Sequence, residues 1–105
     1  MKLPAVTPQP PYYAVIFSSL RTDDDNDYAD TAKRMVEIAS TQPGFLGFES
    51  AREETGISVS YWSSLEAIAA WKKNPQHRQA QSRAQEWYKT FRVRVCRVER
   101  EYGFD

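Results

Sequence analysis

A chain of 105 residues bounds the answer to one domain with a modest core. Its 14 basic and 14 acidic side chains cancel, which removes the electrostatic attraction that nucleic-acid and anionic-membrane binders rely on. A single cysteine, Cys96, excludes an internal disulfide framework, and no apolar run approaches the ~18 residues of a membrane span.

The segment Met1–Pro11 (MKLPAVTPQPP) holds four prolines and no periodic pattern, so it reads as an extended or mobile arm, with a neighbouring subunit as one place for it to fold. It has no apolar core of the kind a secretory leader carries, and a cytoplasmic protein is the expectation. Tyr12–Ser19 (YYAVIFSS) is β-branched and aromatic, apolar on both faces, and reads as a central strand. Arg21–Asp27 (RTDDDND) leads into a helix whose first turn its acids would favour. It lacks the glycine and distal glutamate of a calcium loop. Tyr28, Ala32, Met35, Val36 and Ala39 recur at helical spacing as one apolar stripe, which Gln42-Pro43-Gly44 ends.

Phe45–Glu53 reads as the second strand, with Gly47 marking a bulge or a close approach by another backbone or a ligand. A turn at Glu54–Gly56 leads to a third strand, Ile57–Trp62. Alternation there sets Ile57, Val59 and Tyr61 against Ser58, Ser60 and Trp62. Ser63 or Ser64 caps a short helix with Leu65, Ile68, Ala69 and the stem of Lys72 inward, and Asn74-Pro75 breaks it. A polar helix over Gln76–Tyr88 and a long last strand over Lys89–Tyr102 follow. In that strand Phe91, Val93 and Val95 oppose Arg92, Arg94, Cys96, Val98 and Arg100.

The order β-α-β-β-α(α)-β is the ferredoxin-like α+β pattern, with a four-stranded antiparallel sheet. Residues 1–11 form the arm and 12–105 the domain. Helices in this topology cover one face of the sheet, yet the first strand is apolar on both. A partner's sheet would cover the second face, and a homodimer is expected.

The segments QPGFLGFES (Gln42–Ser50), SVSYWSSLEAIAAW (Ser58–Trp71), the pair His77 and Ala80, and WYKTFRVRVCRVEREY (Trp87–Tyr102) together resemble the antibiotic biosynthesis monooxygenase (ABM) domain family of dimeric α+β barrels. The resemblance covers roughly residues 12–103. It implies a dimer whose two sheets face each other, with a pocket in each subunit between sheet and helices. The family includes cofactor-independent oxygenases of aromatics, haem-degrading enzymes and members without assigned activity. The haem-degrading branch carries an Asn on the first strand and a His ten residues beyond a helical Trp. Here YYAVIFSS has no Asn, and ten residues after Trp71 stands Gln81.

A cofactor-free oxygenase removes a proton from an electron-rich phenol, anthrone or quinol and lets the carbanion reduce O₂. That chemistry needs an aromatic pocket, a base near neutral pKa and donors for an oxyanion. His77 is the only side chain whose ordinary pKa suits the base. Trp62, Trp71 and Trp87 would wall the pocket, and Tyr13, Tyr61 and Arg52 would donate to a substrate oxygen. The bland alternative for His77 is a bond to a backbone carbonyl that ties the inter-helix turn to the sheet. For each Trp the alternative is core packing. No metal-ligand set, G-x-G-x-x-G or G-x-S-x-G pattern occurs, so no metal or cofactor is expected. The second function class is a non-catalytic or stress-related protein holding a small hydrophobic ligand in the same pocket.

Overall fold

A computed structural model describes residues 3–104. The elements are β1 (Tyr12–Arg21), α1 (Tyr28–Ala39), β2 (Phe45–Arg52), β3 (Thr55–Trp62), α2 (Leu65–Lys73), α3 (Pro75–Gln81), α4 (Ala84–Trp87) and β4 (Tyr88–Val98). The four strands form one antiparallel sheet in the order β2-β3-β1-β4, the ferredoxin-like α+β arrangement.

Register fixes what each face carries, because residues directly opposite in an antiparallel ladder point the same way. Tyr13 pairs with Trp62 and Arg97, Phe17 with Ser58 and Val93, and Ser19 with Gly56 and Phe91. This is the helix-bearing face: Trp71 of α2 stacks on Trp62, and Tyr28 of α1 meets Tyr88 edge-on. The back face carries Tyr12, Ala14, Val59, Tyr61 and Cys96. The alternation in β3 and β4 is as the sequence predicts.

The proline-rich arm is not a free tail within the described residues. The Thr7 hydroxyl bridges the Tyr12 hydroxyl (2.9 Å) and the Glu101 carboxylate (3.0 Å), and Ala5 lies where a Cβ on Gly47 would point. The arm therefore covers part of the back face, and Tyr12 and Ala14 are buried by a single chain. This supplies some of the cover that the apolar second face of β1 led one to assign to a partner. Met1 and Lys2 of the arm, and Asp105, lie outside the described residues. Gly47 does both things expected of it: the arm approaches closely, and the β2–β3 register shifts between Phe45 and Gly47.

Two expectations about the helices change. The acids before α1 do cap it, through Asp25: its carboxylate accepts from the Ala29 N–H at 3.4 Å, while Asp27, at the N-cap, has φ 67 and makes no side-chain cap bond. In α2 the cap is Ser64, whose Oγ accepts from the Ala67 N–H. Leu65 and Ala69 lie outward, and Ala67, Ile68 and Trp71 take the inner side. The single helix expected over Gln76–Tyr88 is two short helices, with Tyr88 already in β4. The end of α4 at Trp87 has a tertiary cause: the Trp87 carbonyl accepts from the Thr22 N–H (2.9 Å) and from Arg21 Nε (2.8 Å), and its indole N–H donates to the Asn26 carbonyl (2.9 Å). Bonds to the end of β1 thus replace a further helical turn. No helix among the described residues is long and apolar enough to cross a membrane.

Candidate functional site

The predicted site residues fall into separate places. At the β1 start, three flat rings line up from the sheet outward: Trp62 to Trp71 (centroids 6.3 Å, 25° between planes), then Trp71 to His77 (4.3 Å, 9°). Phe45 meets Trp62 edge-on, and Tyr13 is its partner across the ladder. Trp62 has no exposed surface, and its indole N–H donates to Ser60 Oγ at 2.9 Å. Trp87 is 3% exposed, packed against Tyr28 and under Arg83. Rings so fully covered have nothing to offer a ligand. Trp62 and Trp87 are therefore core residues and not pocket walls, while Trp71 keeps partial exposure.

Tyr61 is on the back face, where its hydroxyl donates to Glu49 Oε1 at 2.7 Å and its ring meets Tyr12. Burial first, and then the Glu49 carboxylate, push its pKa well above the ordinary tyrosine value. Strand alternation sends Tyr61 and Trp62 to opposite sides, so Tyr61 lines no pocket shared with Trp71. Arg52 is on the helix-bearing face but at the far end of the sheet. The Ser19 row that Arg52 reaches is six steps along β1 from the Tyr13 row, about 20 Å of strand.

His77 is held from three directions. Pro75 opens α3 and the Asn74 side chain caps it, accepting from the N–H groups of Gln76 (3.0 Å) and His77 (3.2 Å). The ring stacks on Trp71, and Nδ1 lies 3.0 Å from the Trp71 carbonyl. A carbonyl only accepts, so Nδ1 carries the proton and Nε2 is the unprotonated nitrogen of the neutral ring. The bland alternative is thus realised in part: His77 ties the α2–α3 junction to the sheet through Trp71. Burial lowers its pKa below the ordinary 6.5, outweighing the opposing pull of the Trp71 carbonyl.

The lowered value makes a stability prediction. Between the folded pKa and 6.5 the unfolded chain binds more protons at this site than the folded one, so stability rises with pH across that window. His77 contributes its full share above about pH 6.5 and loses it as the pH falls toward the folded value. Urea titrations at closely spaced pH values should show this slope in the native protein and not in His77→Gln. An equal slope in both proteins would remove His77 as its source.

A second constellation, at the opposite end of the helix-bearing face, escaped the sequence reading. Arg52 on β2 arches across β3 over Gly56 and donates through Nη2 to Ser19 Oγ and through Nη1 to the Ser19 carbonyl (3.3 Å). Ser19 is 3% exposed. A Cβ on Gly56 would collide with the Arg52 guanidinium, so glycine makes the crossing possible. Beside it, Arg21 lies 3.5 Å over the Tyr28 ring, and Phe17, Tyr88 and Phe91 form a contiguous aromatic cluster. Burial, with the nearby Tyr28 hydroxyl, raises the Tyr88 pKa strongly, and Arg21 and Arg52 pull the other way.

Between these ends the helices leave the β4 edge uncovered: Phe91, Val93 and Val95, all facing the helix side, are 48%, 49% and 50% exposed. A separate cleft of about 300 Å³ opens beside Trp71, lined by Gln42, Gly44, Ser63 and Glu66 among others. A wider, shallow hollow of about 800 Å³ at Arg97–Arg100 and Tyr102 lies along the exposed tail, and His77 does not line it.

The antibiotic biosynthesis monooxygenase (ABM) family matches residues 11–83 of this sequence. The chain belongs to the ABM family. It is 50% identical over 101 residues to the uncharacterized protein YqjZ of Bacillus subtilis, covering 93% of this chain and 89% of that protein. Its fold is similar to that of SnoaB, a cofactor-independent oxygenase from Streptomyces nogalater, with TM-score 0.76 at 11% identity over 88% of this chain and 97% of that one. A conserved protein from Methanosarcina mazei Go1 is similar at TM-score 0.72 and 8% identity, over 87% and 94% of the two chains. At such identities the ABM likeness to solved structures extends to the fold alone.

Proposed function

We propose that this ABM protein is a cofactor-independent monooxygenase of a small aromatic substrate of the phenol, anthrone or quinol type, bound on the helix-bearing face. The observation that carries the reading is the strip of half-exposed apolar side chains, Phe91, Val93 and Val95, on the face that the helices otherwise shelter. A planar apolar ligand would remove that strip from water, at a gain of about 25 cal/mol per Å² of apolar surface. The ABM family membership and the fold shared with an oxygenase support the choice of chemistry.

In this reading Nε2 of His77 takes the substrate proton. The ring is neutral at pH 7, its other nitrogen is fixed by the Trp71 carbonyl, and its plane is set by stacking on Trp71. The carbanion reduces O₂ and forms a C–O bond. Loss of water from the resulting hydroperoxide then leaves a carbonyl, so that a CH₂ and O₂ become C=O and H₂O. One observation favours the second reading, a hydrophobic-ligand protein without turnover: His77 already has a structural task that explains its placement.

Oxygen uptake by the metal-stripped protein, first sized by light scattering to check the homodimer that the family implies, separates the two. With anthrones, hydroquinones and flavonols as substrates, protein-dependent uptake is expected, falling about tenfold or more in His77→Ala. Uptake indifferent to that substitution would discard His77 as the base. Binding of these compounds without any uptake would favour the ligand-binding reading.

A further inference from the structure

The cluster at the far end of the helix-bearing face has features that the oxygenase reading does not use. Arg52 and Arg21 come from different strands, and neither meets a carboxylate among the described residues. Among the described residues the Arg52 side chain bonds only Ser19, and the Arg21 side chain bonds only the carbonyls of Trp87 and Asp24. The aspartates of the adjoining loop are exposed, and none of their carboxylates bonds either guanidinium. A guanidinium has five N–H donors in a plane, so each arginine keeps N–H groups with no partner among the described residues. Both also act on the same tyrosine, Tyr88. Beside them Phe91 is half exposed, with Phe17 stacked on it at 5.1–5.4 Å from the neighbouring rings.

The effort spent on placing Arg52 is informative. A long flexible side chain has been drawn across a whole strand, over the one residue of β3 without a Cβ, and pinned to a buried hydroxyl. A guanidinium needed only for solubility has no reason to be held this way. Fixed in advance, it loses little freedom when it meets an anion.

We propose that Arg52, fixed by Ser19 across Gly56, and Arg21 on Tyr28 form a binding site for the ionised oxygen of an aromatic acid whose ring lies on Phe91. The ligand class is a small arene bearing a carboxylate or phenolate. The proposal goes beyond the oxygenase reading and does not rest on it: about 20 Å of strand separates this row from the Tyr13 row beside Trp71 and His77, so a small arene held here is a ligand of a second site. Charge-assisted bonds from guanidinium to carboxylate supply both strength and orientation. The ring then continues along the exposed apolar edge of β4.

The test is an NMR titration of the full chain with benzoate and salicylate, with benzamide and phenol alongside at a pH where phenol is neutral. The anions are expected to shift the amide signals of Ser19, Gly56 and Phe91 and the Arg52 Nε–H. They should bind about tenfold more tightly than benzamide. Arg52→Gln should lose that preference while the rest of the spectrum stays folded. Gly56→Ala, which leaves both arginines in the chain but displaces the guanidinium from Ser19, should lose it too. Equal binding of benzoate and benzamide, anion shifts confined to other surfaces, or full preference retained in Arg52→Gln would each overturn the proposal. Its failure is distinct from that of the oxygenase reading, because oxygen uptake from a neutral substrate would survive it. Equally, binding without uptake would uphold the acid site alone.

Discussion

Trp62→Ala is expected to destabilise the protein by about 3–5 kcal/mol, the largest loss of any single side chain here. Trp62 is the one large side chain among the described residues with no exposed surface. It joins the sheet to α2 through Trp71 and receives Phe45 edge-on from β2, so its removal leaves a hole between three elements at once. The rigid ladder beneath cannot close that hole, because Tyr13 and Phe45 are fixed by their register with residue 62. Truncation also takes away the donor to Ser60 Oγ, a smaller part of the loss. Trp62→Phe separates the two contributions: it keeps most of the ring packing and loses the indole N–H, and should cost about half as much or less. Urea unfolding followed by circular dichroism measures both. A loss below about 1 kcal/mol for Trp62→Ala would mean that α2 is not held to the sheet through this ring. His77 would then lose its indirect attachment as well, since it reaches the sheet by way of Trp71.

The ladder was legible from the sequence wherever one strand's alternation sufficed. Ser58-Val59-Ser60-Tyr61-Trp62 assigns its own faces, and Phe91, Val93 and Val95 do the same. What joins separate strands was not. Ending the first strand at Ser19 left Arg21 in a loop, whereas β1 continues to Arg21 and sends Phe17, Ser19 and Arg21 to one side. The approach of Arg52 to Ser19 depends on the β2–β3 and β1–β3 registers together, which no periodicity in one segment contains. Gly56 read as a turn residue, yet its function in the fold is to let Arg52 pass. Trp62, Trp71 and Trp87 looked equivalent as pocket walls because residue type alone does not distinguish a covered ring from an open one. His77 was singled out for its titration range. Its carbonyl partner six residues back was visible only as an alternative.

Gly44→Ala should cost about 2–4 kcal/mol, more than an exposed turn position ordinarily would. Two causes act together. Gly44 has φ +86, a left-handed conformation that a side chain with a Cβ adopts at about 1–2 kcal/mol. The new methyl would also run into Ala67 Cβ and Ser63 Oγ. Neither neighbour can step aside cheaply. Ala67 is tied by its N–H to the Ser64 cap, and the Ser63 N–H donates to the Gly44 carbonyl at 2.8 Å, holding the turn and the start of α2 face to face. The methyl would push α2 outward at its N-terminus, widening the cleft of about 300 Å³ beside Trp71 and tilting the helix that carries that ring. Gly44→Asn discriminates between the causes: asparagine tolerates the left-handed region but brings the same Cβ, so the collision persists and the loss should stay near that of alanine. Recovery of most of the stability in Gly44→Asn would show that backbone strain alone sets the cost. Gly103→Ala, whose added methyl meets nothing within 4 Å, should change the stability by less than about 0.5 kcal/mol in the same titration. The contrast locates the constraint in the joint between β2, β3 and α2, the joint that positions Trp71 and, through it, His77.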